Sequence, residues 1–328
     1  MTTMFKVTEP GAYTTVQDRG RYGYQQFGVP QTGALDQFAF CVANMLAGNP
    51  EDAAVLEITF SGPRLEILAD ADIAITGAEM PVSVNGQPVK TWSCFSVKQG
   101  DTLSLGMAES GCRAYLAVTG GIDVPLVMGS RSCYVGAKIG GFQGRPLAKR
   151  DIISRGDNTP HGLPRCLPEQ FVPKYTSDIL LRAVPGPQDD FFDDGLITFF
   201  ASEFTVSANA NRMGYRLQGP EIRQQEGFPK SIISEPSLPG GIQIPEDGQP
   251  IILLVEQTVG GYTKIATVIS ADIPLIAQAM PGDNVRFERV DVESAHAAFR
   301  GHQELIRQTK GKITSPAELF IERLHQYL

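Results

Sequence analysis

The chain alternates between short strand-forming segments and turn signals over most of its length. Between about Val55 and Val290, runs rich in valine, isoleucine and threonine are broken by turn residues every ~8–12 positions. Asn85-Gly86 is the clearest hairpin signal among them. The 34 glycines and 23 prolines follow no fixed period, so their excess indicates tight turns. This pattern predicts a mainly β fold built from barrels or sandwiches.

Helical periodicity is confined to three segments. Apolar residues after Gly33 recur at helical spacing as far as Gly48, which is a typical C-terminal stop. A second, alanine-rich helix is predicted from about Val292 to Gln308. A third is predicted to begin at Ser315, because a proline and a glutamate follow at the positions that favour a helix N-terminus.

A proline-rich stretch, residues 158–174, is the best candidate for a linker. We therefore predict two domains, residues 1–170 and residues 171–328, with the C-terminal helices in the second. Residues 100–103 weakly resemble residues 282–285, which leaves open whether one barrel has been duplicated.

The composition argues against several classes of protein. A formal net charge of -8 disfavours a nucleic-acid partner, which requires a basic face. Apolar stretches such as Ile251–Val255 are far shorter than the ~20 residues of a membrane helix, and the N-terminus lacks a signal-peptide core. Five cysteines without a C-x-x-C pair indicate free thiols and no metal site. We expect a cytoplasmic protein.

Standard nucleotide-binding and nucleophile motifs are missing. The sequence contains no G-x-G, no G-x-x-x-x-G-K-[ST] and no G-x-S-x-G. The Ala-Met-Lys-Met run that carries biotin is also missing. If the activity uses ATP or biotin, another protein or an unconventional site must help to supply it.

Five glycine-rich segments that carry polar side chains remain as candidates. They lie at residues 16–36, 129–145, 209–217, 240–245 and 256–262. Adjacent glycines let consecutive backbone N–H groups approach an anion without a Cβ in the way. The alternative is that paired glycines form bulges and corners in a curved barrel.

The side chains of these segments include candidates for substrate binding. The guanidinium groups of Arg131 and Arg145 are suited to binding a carboxylate or phosphate. A small amide substrate could be held by side chains and backbone N–H groups near the glycine pairs at 240–241 and 260–261. These candidates are Gln243, Gln257, Thr258, Gly260, Gly261 and Tyr262.

Two aspartates are candidates for acid–base catalysis. Instead of acting in catalysis, Asp18 could stabilise a turn or form an ion pair. Asp36 could instead cap a helix or place a charge in its first turn. Asn211 and Arg212 are candidates for anion binding, with pairing of Arg212 to a carboxylate of the chain as the alternative. The acidic run at 189–194 is typical of a solvated edge.

These segments, in this order, resemble one family. The motifs that carry the resemblance are Thr14-Thr15-Val16-Gln17-Asp18, Gly33-Ala34-Leu35-Asp36, Gly129-Ser130-Arg131-Ser132, Gly140-Gly141-Phe142-x-Gly144-Arg145, Asn211-Arg212-Met213-Gly214 and Gln257-Thr258-x-Gly260-Gly261-Tyr262. They resemble the C component of 5-oxoprolinase, a family also called KipA and similar to the second carboxyltransferase half of urea carboxylase. Four positions depart from the family pattern: Arg19 replaces a leucine, Val255 an aspartate, Glu256 an arginine and Val259 a threonine.

The resemblance implies two cyclophilin-like β-barrel domains and two obligate partners, the KipI-like B component and the A component of the same complex. It implies ATP-dependent hydrolysis of 5-oxo-L-proline to L-glutamate, with ATP as a co-substrate of the complex. One alternative is a biotin-dependent carboxyltransferase component that acts on urea or a related amide. Another is a non-catalytic KipA-type regulator that binds a KipI-like protein.

Under the oxoprolinase interpretation, residue type suggests a role for each candidate. Arg131 and Arg145 would neutralise the substrate carboxylate, and the amides near Gly260 and Gly261 would neutralise phosphate charge. The lactam would be held by Gln243, Gln257 and Thr258, with Asp18 or Asp36 as the base.

Overall fold

The computed structural model describes residues 1–315, and the chain divides into two compact units. The first unit comprises residues 1–21, 32–174 and, in the described part of the C-terminal region, residues 305–315. The second comprises residues 22–31 and 175–304. The segment from residue 305 was expected in the second domain, but it groups with the first unit because Ile306 packs into that unit's core. The helix predicted from Ser315 onward lies outside the described residues.

The first unit contains thirteen strands in its described part. They are β1 Thr2–Glu9, β2 Tyr13–Gln17, β3 Val55–Thr59, β4 Arg64–Ile67, β5 Ala71–Glu79, β6 Val82–Val84, β7 Gln87–Pro88, β8 Ser93–Val97, β9 Thr102–Leu105, β10 Ser110–Val118, β11 Ile122–Asp123, β12 Ile152–Arg155 and β13 Arg165–Cys166. One sheet has the order β11-β12-β1-β4-β9-β6-β7, and the other has the order β13-β8-β5-β10-β3-β2. The strand pairs within both sheets are antiparallel, which suits short connections between neighbouring strands.

A buried helix, α1 (Gln37–Ala47), packs on the second of these sheets against β5 and β10. It ends at Gly48, whose φ of 73° is the left-handed conformation that glycine adopts without strain. Ten of its eleven residues are buried, so this helix is core on nearly every side. The helix predicted after Gly33 is therefore confirmed.

The second unit contains a closed barrel. Its strands are β14 Asp178–Pro185, β15 Glu203–Ala210, β16 Gly214–Gln218, β17 Ser231–Pro236, β18 Gly241–Ile244, β19 Ile251–Leu253, β20 Val259–Val268 and β21 Asn284–Arg289. The sheet order is β14-β21-β15-β16-β19-β18-β20-β17, and a further pairing of β14 with β20 closes seven strands into the barrel. β17 pairs with β20 as an additional edge strand. Only β14 and β21 run parallel among these described strands.

Three further helices and six 3₁₀ turns complete the described residues. The helices are α2 Asp194–Ala201, α3 Ile273–Ala277 and α4 Val292–Thr309. The 3₁₀ turns are Gln25–Phe27, Val135–Ala137, Glu169–Phe171, Asp189–Phe191, Ser270–Asp272 and Lys310–Lys312. The ring of Phe199 in α2 stacks on that of Phe287 in β21 at 4.4 Å. None of the helices in residues 1–315 is long and apolar enough to cross a membrane.

The prediction of a mainly β chain is confirmed. The helix predicted at 292–308 is confirmed as α4, and the strand-rich region between residues 55 and 290 contains most of the strands. The longer of the two segments of the second unit, residues 175–304, starts after the proline-rich stretch.

All five cysteines are free thiols with buried side chains. The rate at which a thiol reagent labels them in the native protein therefore tests whether these side chains are packed as the structure shows. Burial raises the pKa of the Cys41 and Cys94 thiols to about 12. Because the thiolate is the reactive form, we expect the native protein at pH 8 to react negligibly with Ellman's reagent. The same protein unfolded in guanidinium is expected to release five equivalents. Fast labelling of a thiol in the native protein would contradict this packing.

Candidate functional site

Asp18 joins two of the predicted segments in the first unit. Its Oδ1 accepts hydrogen bonds from the hydroxyls of Ser130 and Ser132, at 2.6 and 2.5 Å, and from the backbone N–H of Gly20 at 2.8 Å. Its Oδ2 accepts one from the backbone N–H of Arg131 at 2.5 Å. Four donors therefore converge on one carboxylate and tie the chain after β2 to the loop at 129–132.

A buried guanidinium lies beside this carboxylate. Arg21 is fully buried, and its Nε and Nη2 donate to the backbone oxygens of Val127 and Ser132 at 3.0 and 2.9 Å. Burial lowers the pKa of Arg21, while the charge of Asp18 acts in the opposite direction. Because a guanidinium stays protonated in proteins, Asp18 also offsets a buried positive charge. Arg21 was not among the candidates identified from the sequence.

Gly140 permits this close packing. It has a φ of 63°, and a Cβ at its position would overlap the backbone oxygen of Ser132 and lie against Nη2 of Arg21. The amide of its neighbour Gly141 donates to the backbone oxygen of Arg131 at 3.0 Å. The glycines at 140 and 141 therefore allow a tight turn of the backbone, and they do not leave both amides open to an anion.

Asp36 is the N-cap of α1. Its Oδ1 accepts a hydrogen bond from the backbone N–H of Ala39 at 3.0 Å, and its own N–H donates to the hydroxyl of Tyr115 at 2.8 Å. Burial raises the pKa of Tyr115 well above its usual value, and the charges of Glu57 and Asp36 act in the same direction. The helix cap, which was the alternative to catalysis, is the arrangement observed.

The two arginines expected to bind a substrate carboxylate already have partners in the chain. Arg145 donates from Nη1 and Nη2 to Asp151 at 2.6 and 2.8 Å. Burial raises the pKa of Asp151, but the hydrogen bonds from Arg145 and from the backbone N–H of Ala148, together with the charge of Arg145, outweigh it and lower the pKa. Arg131 donates from Nε to the backbone oxygen of Val124 at 3.0 Å and lies 3.7 Å from Asp123. The Arg145 guanidinium is thus occupied by a carboxylate of its own chain, whereas Arg131 has one backbone acceptor and a longer ion pair.

Asn211 and Arg212 also make internal contacts, in the second unit. Asn211 Oδ1 accepts a hydrogen bond from the backbone N–H of Met213 at 2.8 Å and shapes the turn before β16. Arg212 Nε donates to Glu256 Oε1 at 2.6 Å, and both side chains are buried to at least nine-tenths. Glu256 stands where the family has arginine, so in this chain that position supplies the carboxylate of a buried ion pair.

The segment that leads into β20 is held by local hydrogen bonds. Gln257 Nε2 donates to the backbone oxygen of Val259 at 2.5 Å, and the backbone oxygen of Thr258 accepts from the N–H of Ser237 at 2.9 Å. The ring of Tyr262 is exposed. The Nε2 of Gln257 is thus used in a hydrogen bond within its own loop.

Gln243 in β18 differs from the other candidates. It is 3% exposed, and its Nε2 has no hydrogen-bond partner among residues 1–315. A Cβ at Gly260 would overlap that nitrogen, so the missing side chain makes room for the amide. Gly260 and Gly261 both lie inside β20 and not in a loop, with Gly260 opposite Glu235 of β17.

A lysine that was not predicted from the sequence lies next to Gln243. Lys264 is opposite Gln243 in the ladder between β18 and β20, and its Nζ donates to Glu235 Oε1 at 2.6 Å. Gln188 Nε2 donates to the same oxygen at 3.2 Å. The hydrogen bond from Lys264 lowers the pKa of Glu235. A single lysine within the strand-forming run at 259–268 is the sequence signal that could have identified it.

The predicted residues are therefore distributed over both units. Asp18, Asp36, Arg131 and Arg145 belong to the first, and the remaining eight belong to the second. Asp18 lies against the backbone of Arg131, and Gln243 lies against Gly260. Among the predicted candidates, Gln243 is the one with a buried donor that has no hydrogen-bond partner within residues 1–315.

Residues 27–289 match the family described as the carboxyltransferase domain, subdomain A and B, and the chain belongs to that family. Its relatives include the C component of the 5-oxoprolinase of Escherichia coli strain K12, 38% identical over 309 residues, an alignment that covers 93% of this chain and 97% of the relative. The urea amidolyase of Lachancea kluyveri is 35% identical over 312 residues, covering 89% of this chain and 17% of the relative. The family resemblance inferred from the motifs is confirmed.

The fold agrees with this assignment. The crystal structure of the K. lactis urea amidolyase superposes with a TM-score of 0.88 and 31% identity, covering 94% of this chain and 20% of that one. The chain therefore spans about a fifth of the length of the urea amidolyases that it matches.

Proposed function

We propose that this chain is the C component of an ATP-dependent 5-oxoprolinase. It acts with the KipI-like B component and the A component to hydrolyse 5-oxo-L-proline to L-glutamate. Support comes from the alignment with the corresponding E. coli 5-oxoprolinase component, which extends over 97% of that relative. The urea amidolyases match over a fifth of their length or less.

The observation that carries the proposal is the unpartnered amide of Gln243 within residues 1–315. A buried donor without an acceptor costs about 1–3 kcal/mol, and a ligand carbonyl that accepts its hydrogen bond removes that cost. An amide carbonyl is a poor electrophile, and hydrogen bonds to its oxygen stabilise the negative charge that develops when water attacks the carbon. Gln243 is therefore proposed to bind the ring oxygen of the lactam, with Gly260 providing the space for its side chain.

ATP is proposed to bind elsewhere in the complex. In two of the glycine pairs within residues 1–315 amides are already used, because Gly141, Gly240 and Gly241 donate to the backbone oxygens of Arg131, Leu253 and Leu238, and the pair at 260–261 lies inside a strand. The described residues therefore do not fit a phosphate cradle of the glycine-rich kind. ATP makes the ring carbonyl more reactive, and this chain's proposed contribution is to hold and orient the lactam.

The charged candidates of the first unit are proposed to hold the backbone in place. Asp18 receives four hydrogen bonds from its own chain, and Asp36 caps α1. Arg145 is paired with Asp151. We assign these groups to the stability of the fold and not to proton transfer or carboxylate binding.

Biotin-dependent carboxyl transfer to urea or a related amide is the second candidate. It is favoured by the TM-score of 0.88 with the urea amidolyase structure. The reactive part of biotin is a cyclic urea, so its oxygen would also accept a hydrogen bond from Gln243. This candidate predicts carboxylation of an amide without any requirement for 5-oxoproline.

Turnover by the assembled complex tests the function. The A and B components are mixed with this chain, and ADP release is measured with and without 5-oxo-L-proline. We expect release that depends on 5-oxoproline and is lost when this chain is omitted. Turnover that ignores 5-oxoproline would contradict the proposal, and biotin-dependent incorporation of bicarbonate into urea would favour the second candidate.

A further inference from the structure

We propose that Gln243, Lys264 and Glu235, supported by Gln188, form a binding site for the N–C=O edge of a cyclic amide. This inference rests on the proposed function and assigns its substrate site to β17, β18 and β20 of the second unit. The lysine and glutamine supply donors for the carbonyl oxygen. The glutamate supplies the acceptor for the amide N–H.

The three side chains converge at one step of the ladder between β17 and β20. Glu235 of β17 is opposite Gly260 of β20. The amide of Gln243 lies where a side chain of Gly260 would be, and Nζ of Lys264 reaches Glu235 Oε1 at 2.6 Å. Because Gln243 and Lys264 are opposite each other in the neighbouring ladder, they leave the sheet on the same face.

The burial of the ion pair is uneven. The side chain of Lys264 is 7% exposed, whereas that of Glu235 is 38% exposed. A buried ammonium loses much of its hydration and is stable only when several acceptors replace the lost water. Within residues 1–315 the hydrogen-bond partner of Nζ is a single oxygen, that of Glu235. An ammonium has three donors, so the cation can take a further acceptor.

The carboxylate is also only partly used. Lys264 and Gln188 both donate to Glu235 Oε1, which leaves Oε2 for a ligand. Gln188 Oε1 accepts the backbone N–H of Lys264 at 3.0 Å and so holds this part of β20 against the turn before Asp189. The hydrogen bond from Lys264 lowers the pKa of this glutamate and so favours its ionised form.

This set of groups is complementary to an amide edge. The Gln243 amide and the Lys264 ammonium both donate, and a carbonyl oxygen with two lone pairs can accept from both. Glu235 Oε2 can accept from the ring N–H on the same edge. A ring with an amine and no carbonyl, such as L-proline, leaves the two donors unsatisfied and should bind poorly.

The test uses the assembled complex and measures binding of 5-oxo-L-proline by calorimetry. Gln243→Leu and Lys264→Met are each expected to weaken binding about tenfold or more, since each leaves a ligand or protein group unpaired. Gly260→Ala is expected to do the same by displacing the Gln243 amide without removing it. Binding equal to that of the unaltered complex in all three variants would overturn the site.

Matched controls separate local from general effects. Lys230→Met removes an exposed lysine that pairs with Glu246 at 3.5 Å in the same unit, and it is expected to leave binding unchanged. Gln303→Leu alters an exposed glutamine of α4 and is expected to do the same. If Lys264→Met lowers the midpoint of thermal unfolding, the conclusion is drawn from Gly260→Ala. The added Cβ of that variant meets the flexible end of the Gln243 side chain, which can move without unfolding the barrel.

The outcomes for the site and for the proposed function differ. If 5-oxoproline fails to bind but urea or 2-pyrrolidinone binds and requires Gln243 and Lys264, the site is supported and the oxoprolinase assignment fails. If 5-oxoproline drives ATP turnover with the same KM in all three variants, the oxoprolinase assignment is supported and the site is overturned.

Discussion

Replacing Asp18 by alanine is expected to lower the free energy of unfolding by about 3–5 kcal/mol. The substitution leaves four donors without their acceptor, two hydroxyls and two backbone N–H groups. It also removes the negative charge of Asp18, which offsets the cost of burying the Arg21 guanidinium. Urea denaturation of the purified chain, followed by circular dichroism, measures the change.

A surface carboxylate of the same unit provides the control for Asp18→Ala. Glu9 lies 3.5 Å from Arg64, and both side chains are more than half exposed. Exposed ion pairs contribute at most ~1 kcal/mol, so Glu9→Ala should change stability little. Equal effects of the two substitutions would show that Asp18 does not hold the two segments together.

Replacing Arg212 by alanine is expected to cost a similar amount, about 3–5 kcal/mol, because the charge of Glu256 is then left buried without its partner. The double variant Arg212→Met, Glu256→Leu should recover part of this loss, since apolar side chains of similar volume carry no desolvation cost. Thermal unfolding of the single and double variants measures both effects.

Arg216 is the matched control for Arg212. It pairs with Asp247 at 2.9 Å, but the two side chains are 37% and 53% exposed. We expect Arg216→Ala to change the free energy of unfolding by no more than ~1 kcal/mol. If the Arg212 single variant is as stable as Arg216→Ala, the buried pair is not the contact that the structure indicates.

Local patterns were sufficient to predict much of the fold. The helix from Gln37 and the strand-rich region after Val55 are set by apolar periodicity and by turn residues, which act over a few positions. Six ordered motifs were enough to identify the family. The sequence indicated a barrel but not which strands close it. The closing pair, β14 with β20, joins residues about eighty positions apart, and local patterns do not reveal such long-range pairing.

The candidate site was harder to predict because residue type does not reveal a side chain's partner. The guanidinium of Arg145 is suited to binding a ligand carboxylate, but it already binds the carboxylate of Asp151 in the same chain. Asp36 has the chemistry of a base, but its position before α1 makes it a cap. Lys264 was missed because its partner Glu235 meets it only through the pairing of β17 with β20.

The role of the buried Gln243 amide is tested most directly by comparing two glutamine variants in the assembled complex. The quantity measured is kcat/KM for ATP turnover dependent on 5-oxo-L-proline, with Gln243→Leu set against the exposed control Gln303→Leu. We predict that Gln243→Leu lowers this value by about tenfold or more while Gln303→Leu matches the unaltered complex. Equal values for the two variants would contradict the claim that the buried amide of Gln243 binds the substrate.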